Sequence, residues 1–399
     1  KRRREDFGQT IRDELLKRVT ANGFSPAVAE QVFEYVAGFK GYGFAQGHAL
    51  AFAEVSIRSV YCQQNFPAEY FASLLSAQPA GYYGPCTIVN EARVRGVPIL
   101  HPDVNRSGAE FSVEDAKSAM DPKVIVPNGA IRVGLAQIAG LSEDTRERIV
   151  QTPTVINLGT APDGTGFHAN PANQQIRFRS IFDFCSRIRP NRDELENLIL
   201  AGAFDSLHPN RRALLWAIPE AMALAQIEPS SNPELPFDVP EPQIPNEIED
   251  FSEAEKAVHE RRVMGLDIEH HLMAFERDRV SSRGGVLSSR AKSLKPGQKA
   301  IVVGNPIRLR FPPTPSGKRV VFFDLEDEAG LLNVTCFDAV YQRDGHAIVC
   351  SPYVTIIGEA QDRDGHMAFL AHRVFTYRPQ LLQDRKIKLP VAVADFLVG

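Results

Sequence analysis

Ala300-Ile301-Val302-Val303 opens a block in which the hydrophobic pattern changes from a helical period to a strand-like one. Arg319 to Phe323, Leu331 to Phe337, Tyr353 to Ile357 and Met367 to Ala371 follow, each bounded by Gly, Pro or Asp turns. Five β-rich runs in about 80 residues, with a helical candidate (Ala339 to Arg343) after the third, predict a small closed barrel of the OB type. Its span is residues 296–378, and other small β-barrels fit the same periodicity. Alternation along a strand places about half of the side chains inside. Phe322 or Phe323 is therefore expected to be core.

Upstream of the barrel the chain reads as helix. Ile11, Leu15, Leu16 and Val19 recur at helical spacing, and Asn22-Gly23 supplies a stop. Ser25 is an N-cap candidate with Pro26 at the first helical position, ahead of Val28, Val32, Phe33 and Val36. A glycine-punctuated turn, Gly41-Tyr42-Gly43-Phe44, leads to helix from about His48 to Asn65; Phe66-Pro67 breaks it and Ala68 to Ser76 resumes. Residues 101–130 form a mixed connecting region. Two helical hairpins are expected within 131–218, separated by a Pro-, Gly-, Asn- and Thr-rich insertion over 152–175 that reads as irregular surface. Between Arg212 and Lys256 there is no lysine or arginine, while Pro, Glu and Asp are dense. Such a segment buries little apolar surface, so 219–252 is expected to be an extended, mobile linker. A helical connector (253–295) precedes the barrel and a tail (379–399) follows it. The fold class expected is thus multidomain and mainly α-helical, with a C-terminal β-barrel.

Composition narrows the functional classes. Hydrophobic residues make up 43% of the 399 positions and charged ones 24%, ordinary for a globular chain. No apolar run approaches the roughly 20 residues of a membrane helix. Cys62, Cys86, Cys185, Cys336 and Cys350 are scattered, which argues against a disulfide framework or a zinc site and for a cytoplasmic location. His270-His271 and His101-x-Asp103 read as structural, so no metal ligand is assigned. The net charge of −4 gives no whole-molecule attraction to nucleic acid, so any DNA contact rests on local patches. Lys1-Arg2-Arg3-Arg4 reads as a solvated helix face, and the start without methionine or h-region as a processed chain or a cut-out piece.

Gly41-Tyr42-Gly43-Phe44-Ala45-Gln46-Gly47-His48-Ala49, followed by an apolar helix and Phe66-Pro67-Ala68-Glu69-Tyr70-Phe71, resembles the fingers segment of bacterial C-family DNA polymerases, the DNA polymerase III α-subunit type. The resemblance continues through His101-Pro102-Asp103-Val104-Asn105, Ile131-Arg132-Val133-Gly134-Leu135, Ile138-Ala139-Gly140-Leu141 and Leu200-Ala201-Gly202-Ala203-Phe204-Asp205, and resumes at Gly265-Leu266 and in the barrel. Ser76-Ala77-Gln78-Pro79-Ala80-Gly81-Tyr82-Tyr83-Gly84-Pro85 is similar to the error-prone branch in particular. The resemblance implies that residues 1–100 complete the fingers, that the hairpins form a tandem helix-hairpin-helix unit, and that the family's N-terminal domain and metal-binding palm lie upstream of Lys1. It implies that Mg²⁺ belongs to the parent polymerase, with no catalytic residue and no cofactor in this stretch, which alone would not polymerise DNA.

On that reading, Gly41, Tyr42, Gly43, Phe44 and His48 lie near the incoming nucleotide, where glycines admit phosphates and a helix start offers free N–H groups. The family's serine before the histidine, and the lysine before that in replicative members, are here Gly47 and Gln46. Gly140, Leu141 and Ser142, then Gly202 and Ala203, are the expected hairpin contacts to duplex phosphates, with Arg211 and Arg212 adding cations. Arg308, Arg310, Lys318 and Arg319, interleaved with Phe311, Phe322, Phe323 and Phe337, are the expected contacts to single-stranded template. Leu235 and Phe237 in the linker sit where replicative relatives carry a sliding-clamp peptide, though proline separates them and a Pro-rich spacer is the plainer reading. Accessory mutagenesis proteins are further expected partners. The alternatives are an assembly module acting through the linker and tail, or a piece of the replicative α subunit.

Overall fold

The computed structural model describes residues 2–38, 46–115, 129–156, 158–160, 167–169, 175–226, 241–245, 247–314, 317–363 and 366–380. It divides into two compact units, residues 1–66 and 67–399. In the first, α1 (Arg2–Ala21) ends at Gly23, which adopts the φ of +87° that a side-chain-bearing residue resists. Ser25 caps α2 (Pro26–Gly38) by accepting the Val28 N–H. Arg12 ties α1 to α2 through Glu30 and lies 5.8 Å from the Phe33 ring. α3 (Gln46–Asn65) carries Leu50 and Ile57 at 72% and 70% exposure.

The second unit begins with α4 (Pro67–Ser76) and α5 (Pro85–Val94), packed beside a three-stranded sheet of order β1-β3-β2, where β1 is Ile99–Leu100, β2 Ser112–Glu114 and β3 Ala130–Arg132. Arg132 is buried in this sheet because Glu114 receives two of its N–H groups and the His101 carbonyl a third. α6 (Glu143–Gln151), α7 (Ile181–Ile188), α8 (Arg192–Leu200) and α9 (Arg211–Ala225) then surround an apolar core. Phe178, Phe184 and Phe204 meet there edge to face at 4.9 and 5.0 Å. α10 (Glu253–Met264) starts at a reciprocal capping box between Ser252 and Glu255 and ends at Gly265, φ +67°.

Two readings of the connections change. Inside the stretch expected to be irregular, β4 (Val155–Ile156) pairs with β7 (Gln175–Ile176) and β5 (Leu158–Thr160) with β6 (Phe167–Ala169). The acidic segment is not free over its described residues. Ile244 and Phe251 pack against the helical core, Asn210 donates to the Ile248 carbonyl, and Asp250 accepts the Arg212 N–H. Prolines and acids mark the segment as low in apolar content, but Ile244 and Phe251 still find apolar partners.

The single turns α11 (Arg277–Ser281) and α12 (Ser288–Lys292) flank β8 (Gly285–Val286), which leads into β9 (Lys299–Arg310), β10 (Val320–Asp327) and β11 (Gly330–Phe337). α13 (Asp338–Cys350) precedes β12 (Val354–Arg363) and β13 (His366–Thr376). The order β10-β11-β13-β12-β9, with β9 pairing back to β10 and β11 running parallel to β13, closes a five-stranded barrel consistent with the OB type. Phe323 and Phe369 fill it at 1% and 0% exposure, whereas Phe322 is half-buried. Among the described residues helices predominate before the connector, beside three small sheets, and strands predominate in the barrel block, so the mainly α-helical expectation holds in part.

The barrel core and the helical core are separate apolar clusters. Between them lies a polar seam. On β10, Asp324, Glu326 and Asp327 are all buried. Thr87 and Asn90 of α5 donate to Glu326 at 3.0 and 3.2 Å, and Asn90 also donates to the Asp327 carbonyl. Buried carboxylates at such a junction persist only when hydrogen-bonded.

Candidate nucleic-acid interface

The first hairpin turns at Gly140, whose φ of +75° is left-handed and whose missing Cβ would stand 3.2 Å from Asn197 Nδ2. Ser142 caps α6 by accepting the Thr145 N–H. The turn is held from α8, where Glu194 accepts both the Ser142 N–H at 3.0 Å and its hydroxyl at 2.6 Å, and Asn197 donates to the Ala139 carbonyl. Burial works against the Glu194 charge, but hydrogen bonds from Ser142, Asn191 and Thr145 keep its carboxyl below the usual range. Leu141 is buried, while Ala139, Gly140 and Ser142 are exposed. Glu143 and Asp144 follow in the first turn of α6, where they suit the helix dipole but oppose an approaching phosphate. The presented surface is therefore the turn itself, not the start of α6.

The second hairpin faces inward. Gly202, φ +83°, and Ala203 are buried, and a Cβ on Gly202 would meet Arg211 Nη2 at 2.4 Å. Arg211, 2% exposed, binds Asp205 at 2.6 Å and Glu260 at 2.8 Å, and Glu260 also meets His101 at 2.6 Å. Burial alone would weaken the guanidinium charge, yet the two carboxylates raise its pKa beyond the ordinary value. Of the residues expected at a phosphate, Gly202 and Ala203 are thus buried here, and Arg211 is engaged in an internal ion network with Asp205 and Glu260 under the hairpin. Its signal was present in sequence as Asp205, six residues before Arg211. Arg212 is partly exposed, lying 4.4 Å over the Phe251 ring and 3.5 Å from Glu255.

On the barrel, Arg310, Lys318 and Arg319 are exposed along the paired β9 and β10 region. Phe311, 49% exposed, meets Tyr341 at 5.7 Å, and Arg319 lies 6.0 Å from the same ring. Phe322, cross-strand partner of Arg310, carries Arg363 at 5.6 Å, and Phe337 is 46% exposed. Arg308 behaves differently. The register of β9 against β10 slips between Phe322 and Asp324, and Arg308 sits in that bulge with φ +54°. Its guanidinium lies between Tyr82, at 5.3 Å, and Tyr83, at 4.8 Å, and 3.8 Å from Asp324.

The sequence comparisons bear on this geometry. A family profile described as "Helix-hairpin-helix motif" matches residues 96–154 and 171–214. The chain is 35% identical over 404 residues to an error-prone DNA polymerase of Symbiobacterium thermophilum, covering 94% of this chain and 35% of that one. Over nearly its whole length the chain is similar to error-prone DNA polymerases. Relatives of the same name from Sinorhizobium medicae and Burkholderia mallei are 28% and 30% identical over 93% and 90% of this chain. The chain spans about a third of the length of these curated relatives. A solved structure of the N-terminal domain of the PriB protein from Thermoanaerobacter tencongensis matches 20% of this chain and 97% of its own at 16% identity, with a TM-score of 0.18.

Within this error-prone polymerase relative, the helix-hairpin-helix match encloses both hairpins and the short sheet before them. Gly41, Tyr42, Gly43 and Phe44, and Leu235 and Phe237, lie outside the described residues, as do the tail from 381 and the side chains of Lys1–Arg4. His48 packs edge-on to Phe52 at 4.4 Å within α3. His271 is buried and accepts the Met273 N–H, and burial lowers its pKa to about 4, so it is a neutral structural side chain. Among the described residues no group of three or more His, Cys, Asp or Glu comes together as a metal site. None of their helices is long and apolar enough to cross a membrane. The sequence pattern assigns no contact to Tyr82, Tyr83, Tyr341 or Arg363, because their cation–ring partners come from other parts of the fold.

Proposed function

We propose that this chain is the DNA-handling part of a DNA-directed DNA polymerase of the error-prone, damage-tolerant kind. The turn at Ala139–Gly140 contacts duplex phosphate behind the active site, and the Arg310, Phe311, Lys318 and Arg319 edge of the barrel guides single-stranded template. The observation that carries the reading is the match over 94% of the chain to an error-prone DNA polymerase. Contacts of this kind ignore base identity, as a protein that moves along DNA requires. Nucleotidyl transfer would need two Mg²⁺ ions held by carboxylates. On this reading those ions and the chemistry belong to other parts of the parent enzyme, and this chain alone is inactive.

Fluorescence anisotropy of the 399-residue chain with primer-template and with single-stranded oligonucleotide, at two salt concentrations, tests the reading. Binding to both that weakens as salt rises is expected. No binding at low salt would remove it. An incorporation assay with Mg²⁺ and deoxynucleotides accompanies the titration, and primer extension by the chain alone would overturn its proposed inactivity.

A further inference from the structure

We infer that Tyr82 and Arg308 form a stacking site for one unpaired base of a single strand, at the seam between the helical core and the barrel. This rests on the DNA-handling reading above and adds to it a ligand subsite and its chemistry.

Three observations carry it. Arg308 occupies a β-bulge in the left-handed region, a position that glycine fills without strain. Non-glycine residues held in such conformations cluster where an arrangement of side chains matters. The bulge aims the guanidinium between the two tyrosine rings. Tyr83 is the fixed member, half-buried and donating to Asp324 at 3.3 Å. Tyr82 is the presented member, 84% exposed and held 5.3 Å from the cation. A ring so exposed contributes little to folding, so the lock among Tyr83, Arg308 and Asp324 does not account for it. Finally, Arg308 of the pair lies close in the chain to the cation–aromatic edge. Phe311 follows three residues on, just past the end of β9, with Arg310 exposed between. An exposed aromatic face supported by a guanidinium accepts a planar base, and neighbouring arginines accept its phosphates.

The test uses Tyr82→Ala and Tyr82→Trp in the full chain, titrated with labelled oligo-dT and with a backbone-only oligomer of equal length lacking bases. Tyr82→Ala is expected to weaken oligo-dT binding by about tenfold, the scale of one lost base stack, and Tyr82→Trp to restore it. All three proteins should bind the base-free oligomer alike, with the same salt slope, because no phosphate contact is lost. If wild type binds oligo-dT in a salt-dependent way but Tyr82→Ala matches it within about twofold, the stacking site is refuted while DNA handling stands. An equal loss on both oligomers also refutes it. If wild type binds neither at low salt, the broader reading falls and this one with it.

Discussion

Replacing Glu326 with glutamine should make the protein more stable at pH 8 and leave it unchanged near pH 5. The carboxylate is 2% exposed, accepts hydrogen bonds from Thr87 and Asn90, and has Arg261 and Asp267 acting on it in opposite directions. Burial dominates and pushes its pKa up to about 7. Relative to an ordinary 4.5, that displacement is worth about 3 kcal/mol at ~1.36 kcal/mol per pH unit. The folded protein holds this proton more tightly than the unfolded chain, so between pH 4.5 and about 7 the native state binds more protons. Stability therefore falls as pH rises through that window and is level above it.

Glutamine has no proton to lose and nearly the same shape. Its carbonyl oxygen accepts from Asn90, and its amide donates to the Thr87 hydroxyl, which reverses one bond without removing it. Urea denaturation of Glu326→Gln and wild type, followed by circular dichroism at pH 5 and pH 8, measures the difference. A gain of about 2–3 kcal/mol at pH 8, with near equality at pH 5, is expected. A variant no more stable than wild type at pH 8 would refute the assignment of a strained, buried carboxylate to the seam.

Arg211→Met keeps the apolar stem but leaves Glu260 buried with only His101 beside it, so a loss of about 3–5 kcal/mol is expected in urea denaturation at pH 7. If the loss is below about 1 kcal/mol, the network does not hold the second hairpin as described. Gly202→Ala combines a left-handed φ with a 2.4 Å approach to Arg211 and should lower the thermal midpoint well beyond Gly140→Ala. Gly140→Ala should cost about 1 kcal/mol and reduce duplex affinity in anisotropy titrations of the folded protein. Equal thermal shifts for the two would contradict the inward placement of the second hairpin.

Much of the fold was legible because it depends on local pattern. The five strand runs, the intervening helix and the caps at Ser25 and Gly23 follow from periodicity and from single residues with strong backbone preferences. What local pattern misses is register. Alternation would give Arg308 and Arg310 one environment, yet the bulge against β10 separates them, and it is defined only once Ile307 pairs with Asp324 and Arg310 with Phe322. Partnership across long separations is equally hidden. Arg211 reads as a surface cation until Glu260, 49 positions on, closes over it. Tyr82 has no assigned contact in the sequence until a strand 226 residues later brings a cation to its ring.

The same partnerships resolve a tension in the charge balance. A net charge of −4 argues against nucleic-acid binding if every charge is treated as surface. On the barrel it is not. Asp324, Glu326 and Asp327 face the seam, where hydrogen bonds from α5 and Ser288, a nearby guanidinium and, for Glu326, a retained proton reduce their field outside. Arg310, Lys318 and Arg319 remain at the exposed edge of the same sheet. The β10 acids thus face the seam, while Arg310 at the end of β9 and Lys318 and Arg319 just before β10 stay exposed, so the potential a template would meet there is set by these cations rather than by composition. Neutralising that edge should accordingly flatten the salt dependence of single-strand binding, with a slope reduced by about one for each phosphate-contacting cation removed. Titrating the triple variant Arg310→Gln, Lys318→Gln, Arg319→Gln against oligo-dT over a salt series measures this, and an unchanged slope would show that the template lies elsewhere.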